Sequence, residues 1–147
     1  TTTDCPRSKK RSREDAAEDT FVYREDSLDF VPLDITSVLI DSSVKVLDAS
    51  TFENRHSLIN VEYQNGLETI HEYGFKSCIA LETQQFPNTL VRIGTSAFEN
   101  CSQLKSVGRL PLNLKFIGKR AFSSCSNLQT IEILSMCSLQ RYVFSEC

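Results

Sequence analysis

Five phenylalanines constrain this chain more than any other feature. Phe52, Phe75, Phe98, Phe122 and Phe144 follow one another at intervals of 23, 23, 24 and 22 residues. Other columns keep the same register. A cysteine stands three residues after four of them: Cys78, Cys101, Cys125 and Cys147, with Arg55 in that slot of the first copy. Six after comes Leu58, Leu81, Leu104 and Leu128; five before comes Leu47, Ile70, Ile93, Ile117 and Leu139; eight before comes Val44, Leu67, Leu90, Leu114 and Met136. Gly94 and Gly118 sit four before their phenylalanines, and Ala97 and Ala121 one before. A unit of this size buries too little surface to stand alone, so the copies must stack and share one continuous core.

Within a unit, Ala97, Phe98 and Cys101 fall at i, i+1 and i+4, the spacing of one apolar face of a short helical turn. Leu104, Val107 and Leu110 then alternate loosely with polar residues, as in a short strand, and Pro111 (Pro87 in the preceding copy) ends it by removing a ladder donor. The extra residue around Gly108 predicts a bulge, and the missing one before Met136 a tighter turn.

The segment Ile-Gly-Thr-Ser-Ala-Phe-Glu-Asn-Cys-Ser-Gln-Leu (93–104), repeated as Ile-Gly-Lys-Arg-Ala-Phe-Ser-Ser-Cys-Ser-Asn-Leu (117–128), resembles the BspA-like, or Treponema pallidum type, leucine-rich repeat. The resemblance covers residues 35–147. It implies an α/β repeat, a right-handed leucine-rich-repeat solenoid with a short parallel sheet on one face and short helical turns on the other. About five units fit, the last incomplete. The first copy departs from the pattern at Asp48, Thr51 and Arg55, as a terminal capping repeat would. The last departs at Gln140 and Val143 and stops at Cys147, which reads as a fragment or as an edge capped by something else.

Charge sets the first 34 residues apart. Residues 7–13 hold five basic side chains, and residues 14–34 hold eight acids against Arg24 alone. Opposite charge blocks with few apolar residues bury too little to offset the entropy of ordering. Residues 1–20 therefore read as a disordered charged tail and 21–34 as an N-terminal cap or linker, with Phe21, Val22, Tyr23, Leu28, Phe30 and Val31 available to dock. The body, 35–147, is neutral, with ten basic and ten acidic residues. No run approaches the ~18 apolar residues of a membrane-spanning helix. No apolar stretch follows the basic cluster as in a secretory leader, although the chain opens at Thr1 and the reading allows for one already removed.

Cysteines repeating once per unit form a ladder, not a cluster around one point, and no C-x₂-C pair exists for a zinc site. They read as buried free thiols acting as small apolar side chains, with Cys5 and Cys137 outside the ladder. His56 and His71 have no accompanying nucleophile or carboxylate motif, and neither phosphate-binding glycine pattern occurs. No catalytic residue, metal ligand or cofactor site is expected, and a small-molecule substrate is not predicted.

In such solenoids the outward side chains of the strands form an extended binding surface. If Val61 and Tyr63 point inward, then Asn60, Glu62 and Gln64 point out, joined by Thr83 and Gln85, by Ser106 and Arg109, and by Thr130 and Glu132. The surface is polar and mixed in charge, which suits a protein or peptide ligand and not the phosphate backbone of nucleic acid. Arg7, Lys9, Lys10, Arg11 and Arg13 form a stretch of the kind used for nuclear import. The preferred reading is a non-enzymatic, intracellular scaffold or adaptor with a nuclear address. The alternative, carried by the resemblance, is a cell-surface or secreted adhesin that binds host or matrix proteins. A hydrolase relying on Cys137 or Cys5 is a third, weaker class.

Overall fold

The computed structural model describes residues 20–27, 30–134 and 136–147. The tail but for Thr20, its basic run, Cys5, Leu28 and the Ser135 position of the shortened turn lie outside them. Each coil supplies a short strand to one parallel ladder, and all but the third also supply a longer strand on the adjoining face. The longer strands are β1 (Thr20–Tyr23), β2 (Ser37–Ile40), β4 (Asn60–Tyr63), β7 (Ser106–Arg109) and β9 (Thr130–Glu132). The shorter are β3 (Val46–Leu47), β5 (Thr69–Ile70), β6 (Arg92–Ile93), β8 (Phe116–Ile117) and β10 (Ser138–Leu139), which form one continuous five-stranded sheet.

Register confirms the columns. Leu47 pairs with Ile70, Ile70 with Ile93, Ile93 with Ile117, and Ile117 with Leu139. The phenylalanines stack in nearly parallel planes, with centroids 5.1, 5.1, 5.3 and 5.9 Å apart from Phe52 to Phe144. The Leu, Ile and Val columns close around them, and Phe52, Phe75, Phe98 and Phe122 are fully buried. The cap joins this core: β1 pairs in parallel with β2, and the Tyr23 ring meets Phe52 edge-on at 5.4 Å. Phe21 and Val31 are partly buried against the core, whereas Phe30 stays exposed. The bulge expected around Gly108 is present as a register shift between Ser106 and Arg109, with Gly108 at φ +59°.

One expectation fails. No helix occurs among the described residues, and the segments around the phenylalanines are runs of turns. In every coil the residues two before and two after the phenylalanine have positive φ, between 53° and 61°: Ser50 and Asn54, Tyr73 and Ser77, Ser96 and Asn100, Arg120 and Ser124, Tyr142 and Glu146. Left-handed residues at every fourth position cannot belong to a right-handed helix. They redirect the amides from the chain's own preceding turn toward the next coil. Ser96, Phe98 and Asn100 donate to the carbonyls of Lys119, Ala121 and Ser123 at 2.9, 2.7 and 2.9 Å. The same three bonds join each of the other coil pairs. The apolar spacing i, i+1, i+4 was thus read correctly as burial and wrongly as helix.

The last coil leaves the end of the stack apolar. Met136 occupies the column in which Leu67, Leu90 and Leu114 are buried, yet it is fully exposed, and Leu139 is half exposed.

Candidate functional site

The cysteine ladder is unpaired and, but for exposed Cys147, buried, as its spacing predicts, and its geometry gives it a structural role. Each thiol donates to the carbonyl of the phenylalanine one coil earlier: Cys78 to Phe52 at 3.0 Å, Cys101 to Phe75 at 3.2 Å, Cys125 to Phe98 at 3.2 Å and Cys147 to Phe122 at 3.0 Å. A cysteine suits this slot because it is small and apolar while still carrying a weak donor. In the first coil Arg55 fills the slot, and its guanidinium donates to the Val31 and Glu53 carbonyls, tying the coil to the cap. Burial raises the Cys78 and Cys125 thiols to about 12 and the Cys101 thiol well above its ordinary value. Only thiolates are nucleophilic, so these sulfurs are inert in the folded chain.

A titration follows from that shift. A group whose native pKa exceeds its unfolded value gives stability that is full below the unfolded pKa and is lost as pH rises through the native one. For Cys78 and Cys125 the window runs from pH 9.0 to about 12, with a slope of at most about 1.4 kcal/mol per pH unit for each thiol. Chemical denaturation across that window, compared with a Cys125→Ala variant, checks it. At pH 8 a thiol reagent should label exposed Cys147 and half-buried Cys137 while leaving the three buried thiols untouched until the fold opens.

His56 and His71 are exposed. Among the described residues no three His, Cys, Asp or Glu side chains gather as a metal-ligand group.

The long-strand face behaves differently from a plain repeat. Its inward column runs Val38, Val61, Gln84, Val107 and Ile131, so a glutamine takes a position that is otherwise aliphatic. Gln84 is buried, accepts the Tyr63 hydroxyl at its Oε1, and donates from Nε2 to its own neighbour's carbonyl, Thr83, at 2.6 Å. Burial raises the Tyr63 phenol well above its usual value, which keeps it a donor. A buried amide must be satisfied, and here both ends are, by the Tyr63 hydroxyl and the Thr83 carbonyl. At the same coil the ladder that runs β1, β2, β4 stops at β4, and residues 83–85 make a single bridge, Thr83 to Ser106, on the far side.

That break opens a cleft of about 370 Å³ lined by Asn60, Val61, Glu62, Tyr63, Thr83 and Gln85. Four of the sequence-predicted face residues, Asn60, Glu62, Thr83 and Gln85, come together there, and all four are exposed. The other five do not. Gln64 is turned aside, its Oε1 accepting the Ser42 amide at 3.0 Å. The Ser106 hydroxyl accepts from Gly108, and Arg109 is paired with Glu132 at 3.3 Å further along the stack, beside exposed Thr130. Sequence reasoning missed Gln84 and Tyr63 because it looked only at outward positions; the polar residue in an aliphatic column was the available signal.

A stack of parallel coils, each carrying the same aliphatic, phenylalanine and cysteine columns, defines the leucine-rich-repeat class of solenoid. The chain belongs to one family within it: the model of the BspA type leucine rich repeat region matches residues 29–147 with six copies. The match opens upstream of the 35–147 span read from the columns. No curated protein matches the sequence significantly. Solved structures agree on the fold. A leucine-rich repeat protein from Bacteroides ovatus is 24% identical with a TM-score of 0.55, the match covering 77% of this chain and 35% of that one. The T. pallidum leucine-rich repeat protein is 27% identical with a TM-score of 0.53, over 69% of this chain and 58% of that one. One from Eubacterium ventriosum is 24% identical at 0.50, over 65% and 32%. The matched stretch thus spans about a third to three fifths of these relatives' lengths. Among the described residues no helix is long and apolar enough to cross a membrane.

Proposed function

We propose that this chain is a non-catalytic binding module that takes a protein partner on its long-strand face, acting as an intracellular scaffold or adaptor. The carrying observation is the cleft at the third coil, where four outward polar side chains converge on the one break in that face. The repeat fold is typically a protein-interaction module, and the neutral, mixed-charge surface favours a polypeptide over nucleic acid. Residues Arg7 to Arg13 supply the address, a nuclear-import signal.

Kinship with the BspA type supports a second reading, a surface or secreted adhesin. Tagged product expressed from the full reading frame, with and without residues 1–20, separates the two. Nuclear signal lost on deletion supports the first reading, and export supports the second. The face itself is tested by placing a photo-crosslinking amino acid at Gln85 and, separately, at Lys119 on the turn side. Partner captured from position 85 and not from 119 is the expected result; capture only from 119 would move the binding surface to the turns.

A further inference from the structure

Resting on the strand-face reading, the ligand chemistry of the cleft can be narrowed. The charged groups around this face are mostly neutralised within the chain. Asp41 lies 3.9 Å from Arg24, Glu82 lies 3.6 Å from Lys105, and Glu132 lies 3.3 Å from Arg109. Glu62 stands apart: among the described residues no cation pairs with it, and it is exposed in the wall of the cleft. Around it are the Asn60 and Gln85 amides and the Thr83 hydroxyl, all able to accept hydrogen bonds. No lysine or arginine lines the cleft, so an anion would find no counter-charge there.

We propose that the cleft between β4 and residues 83–85 receives an arginine or lysine side chain of the partner protein, with Glu62 as counter-charge and Asn60, Thr83 and Gln85 as hydrogen-bond acceptors. Gln84 is a positioning residue. By holding the Thr83 carbonyl inward it keeps the third strand off β4 and the cleft open. A cation on a flexible stem, inserted between acceptors beside an unpaired carboxylate, makes the charge-assisted bonds that neutral groups cannot.

The test uses the full chain, with N-acetyl-arginine methylamide and N-acetyl-lysine methylamide as probes and N-acetyl-glutamine methylamide as the neutral control, read by backbone amide chemical shifts. The cationic probes should produce saturable shifts centred on residues 60–63 and 83–85, and the neutral probe should not. Glu62→Gln should weaken binding about tenfold, the scale of one hydrogen bond to a charged group. Gln84→Val, which restores the aliphatic column, should weaken it as well while leaving the rest of the spectrum in place. Equal shifts from the neutral probe, shifts centred on other carboxylates, or no change in Glu62→Gln would overturn the assignment. Crosslinking from position 85 keeps the two readings separable. Partner capture that persists in Glu62→Gln at full strength defeats the cation assignment and leaves the strand face standing. Probe binding at Glu62 with no capture through Gln85 defeats the strand-face reading instead.

Discussion

Replacing Phe98 with alanine should lower the unfolding free energy by roughly 3–5 kcal/mol, the range for emptying a buried aromatic site. The ring is fully buried, stacks on Phe75 at 5.1 Å and on Phe122 at 5.3 Å, and meets Phe86 edge-on at 5.6 Å. The site cannot collapse readily, because the spacing of the coils on either side is fixed by hydrogen bonds from Phe75 to Ala97 and from Phe98 to Ala121, both 2.7 Å. In a stack where each coil touches only its neighbours, loss of a central rung also weakens the coupling between the two halves. Urea denaturation should therefore show a lower midpoint and a broader transition. Phe144→Ala should cost much less, since Phe144 is only half-buried and stacks on one ring at 5.9 Å. A loss below about 1 kcal/mol at Phe98 would mean that the stacked register is wrong.

Gly118→Ala should cost about 1–3 kcal/mol, the scale of forcing extra atoms into a packed site. A Cβ at Gly118 would lie 2.5 Å from the Thr95 nitrogen and 2.6 Å from the Gly94 carbonyl carbon. Those atoms are the backbone of the preceding coil, so relief requires separating two coils that the short-strand ladder holds in register. The requirement is close approach, not unusual backbone geometry. Gly108 provides the contrast: its φ is +59°, and the nearest atom to an added Cβ is 3.4 Å away. Gly108→Ala should be penalised by conformation alone, about 1 kcal/mol. Thermal melts of the two variants should rank them in that order, and equal small losses would show that the coils have slack.

Much of this architecture can be read without coordinates. Column periodicity identifies the stacked phenylalanines, the aliphatic walls and the buried thiols, because a residue type recurring every turn of a solenoid must meet its own copies. The alternation of inward Val61 and Tyr63 with outward Asn60 and Glu62 follows from the two-residue period of a strand, and the observed burial agrees with it. The basic run Arg7–Arg13 and nearly all of the charged tail lie outside the described residues.

Other features were decided by three-dimensional neighbours. Ala97, Phe98 and Cys101 share a face in a helix and in the observed turns alike, so their spacing cannot choose between the two. The choice depends on where the amides find acceptors, and the carbonyls of the next coil, 2.7–3.3 Å away, supply them. The cysteine column marks burial in either case, yet its role as donor to the preceding phenylalanine carbonyl exists only once coils are stacked. Gln84 stands out in its column as a polar residue, but nothing local says that its amide would turn back to the Thr83 carbonyl at the coil where the ladder breaks. Period and burial are properties of the chain, whereas the partner of each polar group is a property of the stack, and the candidate site lies at the coil where a buried amide departs from the aliphatic column.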